Sequence, residues 1–175
     1  MDMLLHTDFA PTVPALTEFA PTAEPVRTAP ARLLEYRHGR HIALPVHASR
    51  EVLERPQVVA VPGTAYYCAG MTKWQGQWLP VLDLQVLLNA YRAEHAAPTR
   101  YLLVVAYQSA SFQPLRHGVI ALPVLPTTIE VADDALCPLP ADSDLWPLLA
   151  LSCFEHDGQP VPVLDAARLF ERYHD

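Results

Sequence analysis

The chain is short of nearly everything that reactive chemistry requires. Only six glycines occur in 175 residues and none cluster, so no glycine-rich loop is available to cradle a phosphate. The three cysteines (Cys68, Cys137, Cys153) form no CxxC and are an odd number, which reads as reduced, mostly buried thiols rather than a disulfide framework. No Lys/Arg cluster appears, and the formal net charge is -7. Nucleic-acid phosphates and anionic lipid surfaces both need a basic face, so neither is an expected partner. A basic stretch followed by an apolar run is missing at the N-terminus, as is any run of about 18 apolar residues. The expectation is a soluble, cytoplasmic protein without direct membrane insertion. Five serines (Ser49, Ser109, Ser111, Ser143, Ser152) lack the Gly-x-Ser-x-Gly setting of a hydrolase nucleophile. His38, His41 and His47 have no Cys or carboxylate at structural-zinc spacing and read as surface histidines. No cofactor or metal is expected.

What the chain does have is apolar residues, at 51%, and proline, at 18 positions. The prolines divide it. Residues 1–31 hold Pro11, Pro14, Pro21, Pro25 and Pro30, which interrupt any regular period, together with a duplicated Asp8-Phe-Ala-Pro-Thr and Glu18-Phe-Ala-Pro-Thr. This composition reads as a disordered tail, passive except that Phe9 and Phe19 are able to anchor a docking motif.

Beyond the tail the chain repeats itself. Gly76-Gln-Trp-Leu-Pro-Val-Leu-Asp83 returns as Gly158-Gln-Pro-Val-Pro-Val-Leu-Asp165, offset by 82 positions, and the apolar spacing continues from Leu84, Leu87, Leu88 and Tyr91 to Ala166, Leu169, Phe170 and Tyr173. Ile42-Ala-Leu-Pro-Val46 likewise returns as Ile120-Ala-Leu-Pro-Val124. Internal repetition of this kind means two related halves, here about 32–95 and 100–171, with strands possible in exchange between them.

Each half reads as short strands closed by one helix. Arg32–Arg37 and His41–Val46 flank a turn at His38-Gly39-Arg40, with Pro45 marking an edge strand or a bulge. Glu51–Glu54 and Gln57–Val61 are further short strands. Cys68–Trp74 and Gln77–Leu82 pair around Gln75-Gly76. Tyr101–Tyr107 is a near-continuous apolar run and therefore a strand buried on both faces. Arg116–Val124 and Thr127–Val131 follow, Leu145-Trp146 pins a single turn, and Leu148–Phe154 with Gln159–Leu164 surrounds Asp157-Gly158. Many short strands and two helices indicate a mainly β fold of small barrels or a sandwich.

The twin aspartates Asp83 and Asp165 are the candidates for an enzyme built on paired carboxylates. The residues that follow them, Leu84-Gln85 and Ala166-Ala167, open amphipathic helices instead of exposing a carboxylate, and N-capping accounts for both positions. An enzyme with an unrecognised carboxylate site is the lesser alternative; the main reading is a protein-binding module without catalysis. Of the two tryptophans at the first long hairpin, Trp78 is expected in the core and Trp74, beside Lys73, as an exposed anchor.

Gly70-Met-Thr-Lys-Trp-Gln-Gly76 followed by Leu79-Pro-Val-Leu-Asp-Leu84 resembles a segment of the CheW-type chemotaxis adaptors, and the Ile42–Val46 strand, the Gly118-Val-Ile strand and the closing Val163-Leu-Asp165 fall in that family's order. The resemblance covers about residues 32–171. It implies two five-stranded SH3-like β-barrels in pseudo-repeat with short helices. It also implies a non-catalytic adaptor that joins the cytoplasmic tip of a chemoreceptor to the regulatory domain of a CheA-type histidine kinase. By the resemblance, Lys73, Trp74, Gln75 and Gly76 are partner-binding, while Gly70, Pro80, Asp83, Gly118, Gly158 and Asp165 are structural. The family's Asn-Leu-Arg before the hairpin glycine is here Lys73-Trp74-Gln75, so a fixed cation has become a neutral amide. Its Val-Asp after the Gly118 strand is here Ala121-Leu122. These departures, with the tail, are equally compatible with a divergent adaptor of a pilus-type chemosensory system that binds the kinase but not standard receptors.

Overall fold

A computed structural model describes residues 26–54, 57–88 and 98–171. The tail up to residue 25, the continuation of the first helix through Tyr91 and Ala93-Glu94-His95, and Tyr173 lie outside the described residues.

The first half contributes β1 (Thr28–Arg37), β2 (Arg40–Pro45), β3 (Ser49–Glu54), β4 (Cys68–Trp74), β5 (Gln77–Asp83) and the short helix α1 (Leu84–Leu88). The second contributes β6 (Tyr101–Tyr107), β7 (Arg116–Leu122), β8 (Thr127–Ala132), α2 (Trp146–Leu149), β9 (Ala150–His156), β10 (Gln159–Leu164) and α3 (Ala166–Glu171). Two five-stranded sheets form, ordered β8-β1-β2-β10-β9 and β3-β6-β7-β5-β4. Neither belongs to one half. The first hairpin of each half (β1-β2, β6-β7) is completed by the last three strands of the other, so the exchange between halves is reciprocal.

Several local expectations change. β1 begins at Thr28, ahead of the tail boundary at residue 31, because Thr28 to Leu33 pair with β8. Pro30 is accommodated there because β1 has not yet met β2, whose pairing starts at Ala31↔Pro45. β2 is not an edge strand: it lies between β1 and β10, and no bulge falls at Pro45. Pro45 is tolerated because it ends the strand, beyond the parallel pairing of Ala43 with Val163. Residues 57–61 form no strand but a single bridge, Val59↔Met71. Leu148 and Leu149 belong to α2, and β9 starts only at Ala150.

Among the described residues three clusters make the core, and strand parity assigns residues to them. On β6, Leu103 and Val105 face a large cluster between the sheets, while Leu102 and Val104 face a cluster inside the second sheet. On β7, Ile120 and Leu122 alternate with Val119 and Ala121 in the same way. The first sheet has its own inner cluster of Ala31, Leu33, Ala43, Phe154 and Val161. Successive side chains point to opposite faces of a strand, so a strand buried on both sides must read as an unbroken apolar run. The central cluster also holds Trp146, Leu87, Leu169 and Phe170, which places α1, α2 and α3 against the seam between the sheets. No helix among the described residues is long and apolar enough to cross a membrane.

A surface polar network ties α2 to the first sheet. The Arg40 guanidinium donates to Asp142 Oδ2 at 2.7 Å and to Gln159 Oε1 at 2.8 Å, and Trp146 Nε1 donates to Asp142 Oδ1 at 2.7 Å. Burial would raise the Asp142 pKa, but the hydrogen bonds from Trp146 and Arg40 outweigh it and hold the carboxyl below its ordinary range.

Candidate partner surface at the first long hairpin

β4 and β5 are joined by a two-residue turn in which Gln75 (φ 46°) and Gly76 (φ 82°) both lie in the left-handed region. This turn geometry matches the right-handed twist of the flanking strands. The second copy does the same with Asp157 (φ 50°) and Gly158 (φ 70°). The register fixes which side chains share a face: Trp74↔Gln77, Lys73↔Trp78, Thr72↔Leu79 and Met71↔Pro80.

The two tryptophans exchange their expected places. Trp78 is 55% exposed, directly across from exposed Lys73, and the turn residues Gln75 and Gly76 are exposed beside them. Trp74 points to the other face and packs on the inner cluster with Leu79 and Val81. Its Nε1 donates to Glu51 Oε2 at 2.6 Å, and its ring lies 4.9 Å from the His117 ring. Glu51 is on β3 and Trp74 on β4, the two edges of this sheet. The indole therefore closes the sheet on itself, helped by the Thr72 hydroxyl donating to the Gln57 carbonyl at 2.9 Å. Burial first, and then the Arg50 charge, lower the His117 pKa, which favours the neutral ring.

The parity was readable: a two-residue turn at 75–76 puts position 78 opposite 73, and a lysine at 73 marks that face as solvent. A ligand that meets this surface finds one flat indole, one mobile cation, and a turn whose Gln75 amide both donates and accepts. Such a face suits a protein surface with an apolar pocket and an acidic rim.

The remaining positions lie behind this hairpin or in the second copy. Gly70 (φ +135°) allows the close approach of the 57–61 segment, since a Cβ there would stand 2.3 Å from the Val59 carbonyl oxygen. Pro80 sits just before β5 begins to pair with β7 at Val81↔Val119, so its missing N–H leaves no ladder bond open. The Asp83 carboxylate accepts from the Val86 N–H at 3.1 Å, at the start of α1. Asp165 accepts from Ala167 and Arg168 N–H at 2.9 and 3.2 Å and pairs with the Arg168 guanidinium at 3.2 Å. The backbone repeats as well: Asp83 N–H donates to the Tyr67 carbonyl at 2.8 Å, and Asp165 N–H to that of Leu149 at 2.9 Å. Gly118 is buried beneath Phe170, whose ring stacks on Tyr107 with centroids 5.2 Å apart. Leu122, which stands where the family resemblance places an Asp, is 1% exposed and belongs to the central core, so that departure falls away from the hairpin surface.

Among the described residues, no three His, Cys, Asp or Glu side chains come together as a metal site.

A comparison with curated protein sequences finds no match. Among solved structures, the chain is similar to the scaffolding protein TtCheW from Thermoanaerobacter tengcongensis. The TM-score is 0.66 at 13% identity, over 83% of this chain and 94% of that one. At that identity the likeness speaks for the fold, two SH3-like barrels, and it agrees with the two five-stranded sheets here. The family model of the CheW-like domain matches residues 34–174, nearly the whole of the chain beyond its tail. The chain belongs to the CheW-like domain family.

Proposed function

We propose that this protein is a non-catalytic, cytoplasmic adaptor of a chemosensory array. It couples the regulatory domain of a CheA-type histidine kinase to chemoreceptor cytoplasmic tips through protein–protein contacts alone. The observation that carries the reading, within a CheW-like chain, is the exposed Trp78 indole paired with Lys73 near the hairpin tip. Interface energy concentrates in large aromatics that a partner covers, and Trp78 is the exposed tryptophan of this hairpin. Lys73, Gln75 and Gly76 remain partner-binding positions; Trp74 passes to a closing role and Trp78 takes its place. The carboxylates of Asp83 and Asp165 are engaged as helix caps, which supports a role without catalysis.

The test is binding of the full chain to the purified regulatory domain of a CheA-type kinase by calorimetry. Micromolar affinity is expected, weakened about tenfold or more in Trp78→Ala, as for an interface anchor. Absence of binding by the wild-type chain at micromolar concentration overturns the reading.

A second reading has its own observation. Gln75 replaces the arginine of the family resemblance at the exposed turn of the hairpin. Loss of a fixed cation with five donors favours an adaptor, such as one of a pilus-type system, that binds the kinase but not standard receptors. Gain of receptor-tip binding by Gln75→Arg supports it, and unchanged binding counts against it.

A further inference from the structure

The sheet β8-β1-β2-β10-β9 is closed at a seam equivalent to the one Trp74 closes in the other. There the segment after β8 runs against the β9 edge through the bridge Leu136↔Phe154, and the Cys137 N–H donates to the Cys153 carbonyl at 3.0 Å. The matching contact in the other sheet is the Val59 N–H donating to the Met71 carbonyl at 2.8 Å. One seam thus carries an ordinary apolar pair, and the other carries two thiols with sulfurs 3.5 Å apart.

We propose that Cys137 and Cys153 form an oxidation site, closing a reversible disulfide that locks this seam. Residues directly opposite on antiparallel strands have Cα atoms about 4.5–5.5 Å apart, inside the span a disulfide bridges without backbone movement. Cys137 is half-exposed and Cys153 buried, which fixes their order of reaction. Burial first, and then the neighbouring Cys137, push the Cys153 pKa up to about 12, so Cys153 waits as a thiol while a peroxide reaches Cys137. The Cys137 sulfur attacks the peroxide O–O bond, which breaks to give a sulfenic acid and one water. The Cys153 sulfur then attacks the Cys137 sulfur, the S–O bond breaks, and the hydroxyl leaves as water with the thiol proton. Two thiols are oxidised by two electrons and one peroxide is reduced to two waters. A dithiol restores the reduced pair.

The bond has a place to act. Leu136, 68% exposed, is one wall of an apolar groove of about 220 Å³ whose other walls include Ala29, Pro30, Phe154 and Val163. Linking Cys137 to β9 fixes that wall.

The full reduced chain is treated with hydrogen peroxide, blocked with an alkylating reagent and mapped by mass spectrometry. Oxidation is expected to make the native chain two hydrogens lighter, and after blocking it carries one linked peptide pair, Cys137–Cys153, and one added alkyl group, at Cys68. The linkage persists in Cys68→Ser. In Cys153→Ser, Cys137 stops at a sulfenic acid that dimedone traps. The same oxidation in urea scatters the pairing among all three cysteines. A native chain that pairs through Cys68, links between copies, scatters as in urea, or leaves both thiols free overturns the proposal.

Discussion

Replacing Gly118 by alanine isolates one packing contact in the whole fold. A Cβ at this position would stand 2.3, 2.4 and 2.6 Å from three ring carbons of Phe170. The backbone is not the obstacle, because Gly118 sits within β7 and not in the left-handed region. Loss of glycine freedom in the unfolded chain would even favour the variant by about 0.4–1 kcal/mol. Against this stands overpacking, about 1–3 kcal/mol when a well-packed core must shift. Phe170 is 2% exposed and stacked on Tyr107, so it has no solvent to move into. The overpacking belongs at the upper end of its range, and the net loss is about 1–2.5 kcal/mol. For a chain of this length that lowers Tm by roughly 2–10 °C. Urea unfolding followed by tryptophan fluorescence measures it, and a second variant secures the cause. Phe170→Leu costs stability alone but should recover part of the loss in the Gly118→Ala background, a favourable coupling between contacting residues. A loss below about 0.5 kcal/mol, or strictly additive effects of the two changes, refutes the claim that Gly118 exists to seat this ring.

The two tryptophans should separate stability from binding: Trp74→Ala costs about 2–3 kcal/mol as a partly buried aromatic with a lost hydrogen bond, while Trp78→Ala leaves the urea midpoint nearly unchanged. Equal effects on stability contradict the assignment of faces. Asp83→Ala should cost about 0.5–2 kcal/mol as a lost N-cap, and Asp165→Ala at least as much because it also frees Arg168; no change for Asp83→Ala would show that its bond to Val86 is not a cap in solution. Asp142 supplies a pH signature. Its folded pKa is depressed by Trp146 and Arg40 against the opposing effect of burial, so its contribution is full above the unfolded carboxyl value of about 3.9 and fades as pH falls through the lower folded value. Between about pH 5 and 2 the urea midpoint of Asp142→Asn should fall less steeply than that of the wild type, and parallel curves exclude the ion pair as a source of acid sensitivity.

Local features were the legible ones. The two-residue turns, the aspartate caps and the buried run at Tyr101–Tyr107 each follow from residues within a few positions of one another, where turn chemistry, capping and parity act directly. Gly118 and Asp142 could not be understood that way. Gly118 matters because of Phe170, 52 positions on, and Asp142 because of Arg40, 102 positions back. Proline misled for a related reason. Pro45 marks an edge only if the strand continues past it, and here β2 ends at that residue. Trp78 is not a core residue because the two-residue turn sets it opposite Lys73, a register that follows from the turn itself. The reciprocal exchange of hairpins had no local signal, since strand order is decided by the shared core and not by either repeat.

That exchange changes what the repeat means. A half-chain holds a first hairpin and three closing strands that belong to different sheets, so duplication produced one structure with two seams and two projecting hairpins. The hairpins share their turn geometry, yet equivalent positions carry opposite chemistry. Lys73 faces Trp78 on one, and Glu155 faces Pro160 on the other. A cation beside an indole and an anion beside a proline give a partner opposite charge on matching backbone, and like charge across an interface costs binding. The cross-strand pair behind each turn is what distinguishes the two hairpins chemically, and charge reversal at position 73 would give both the same charge.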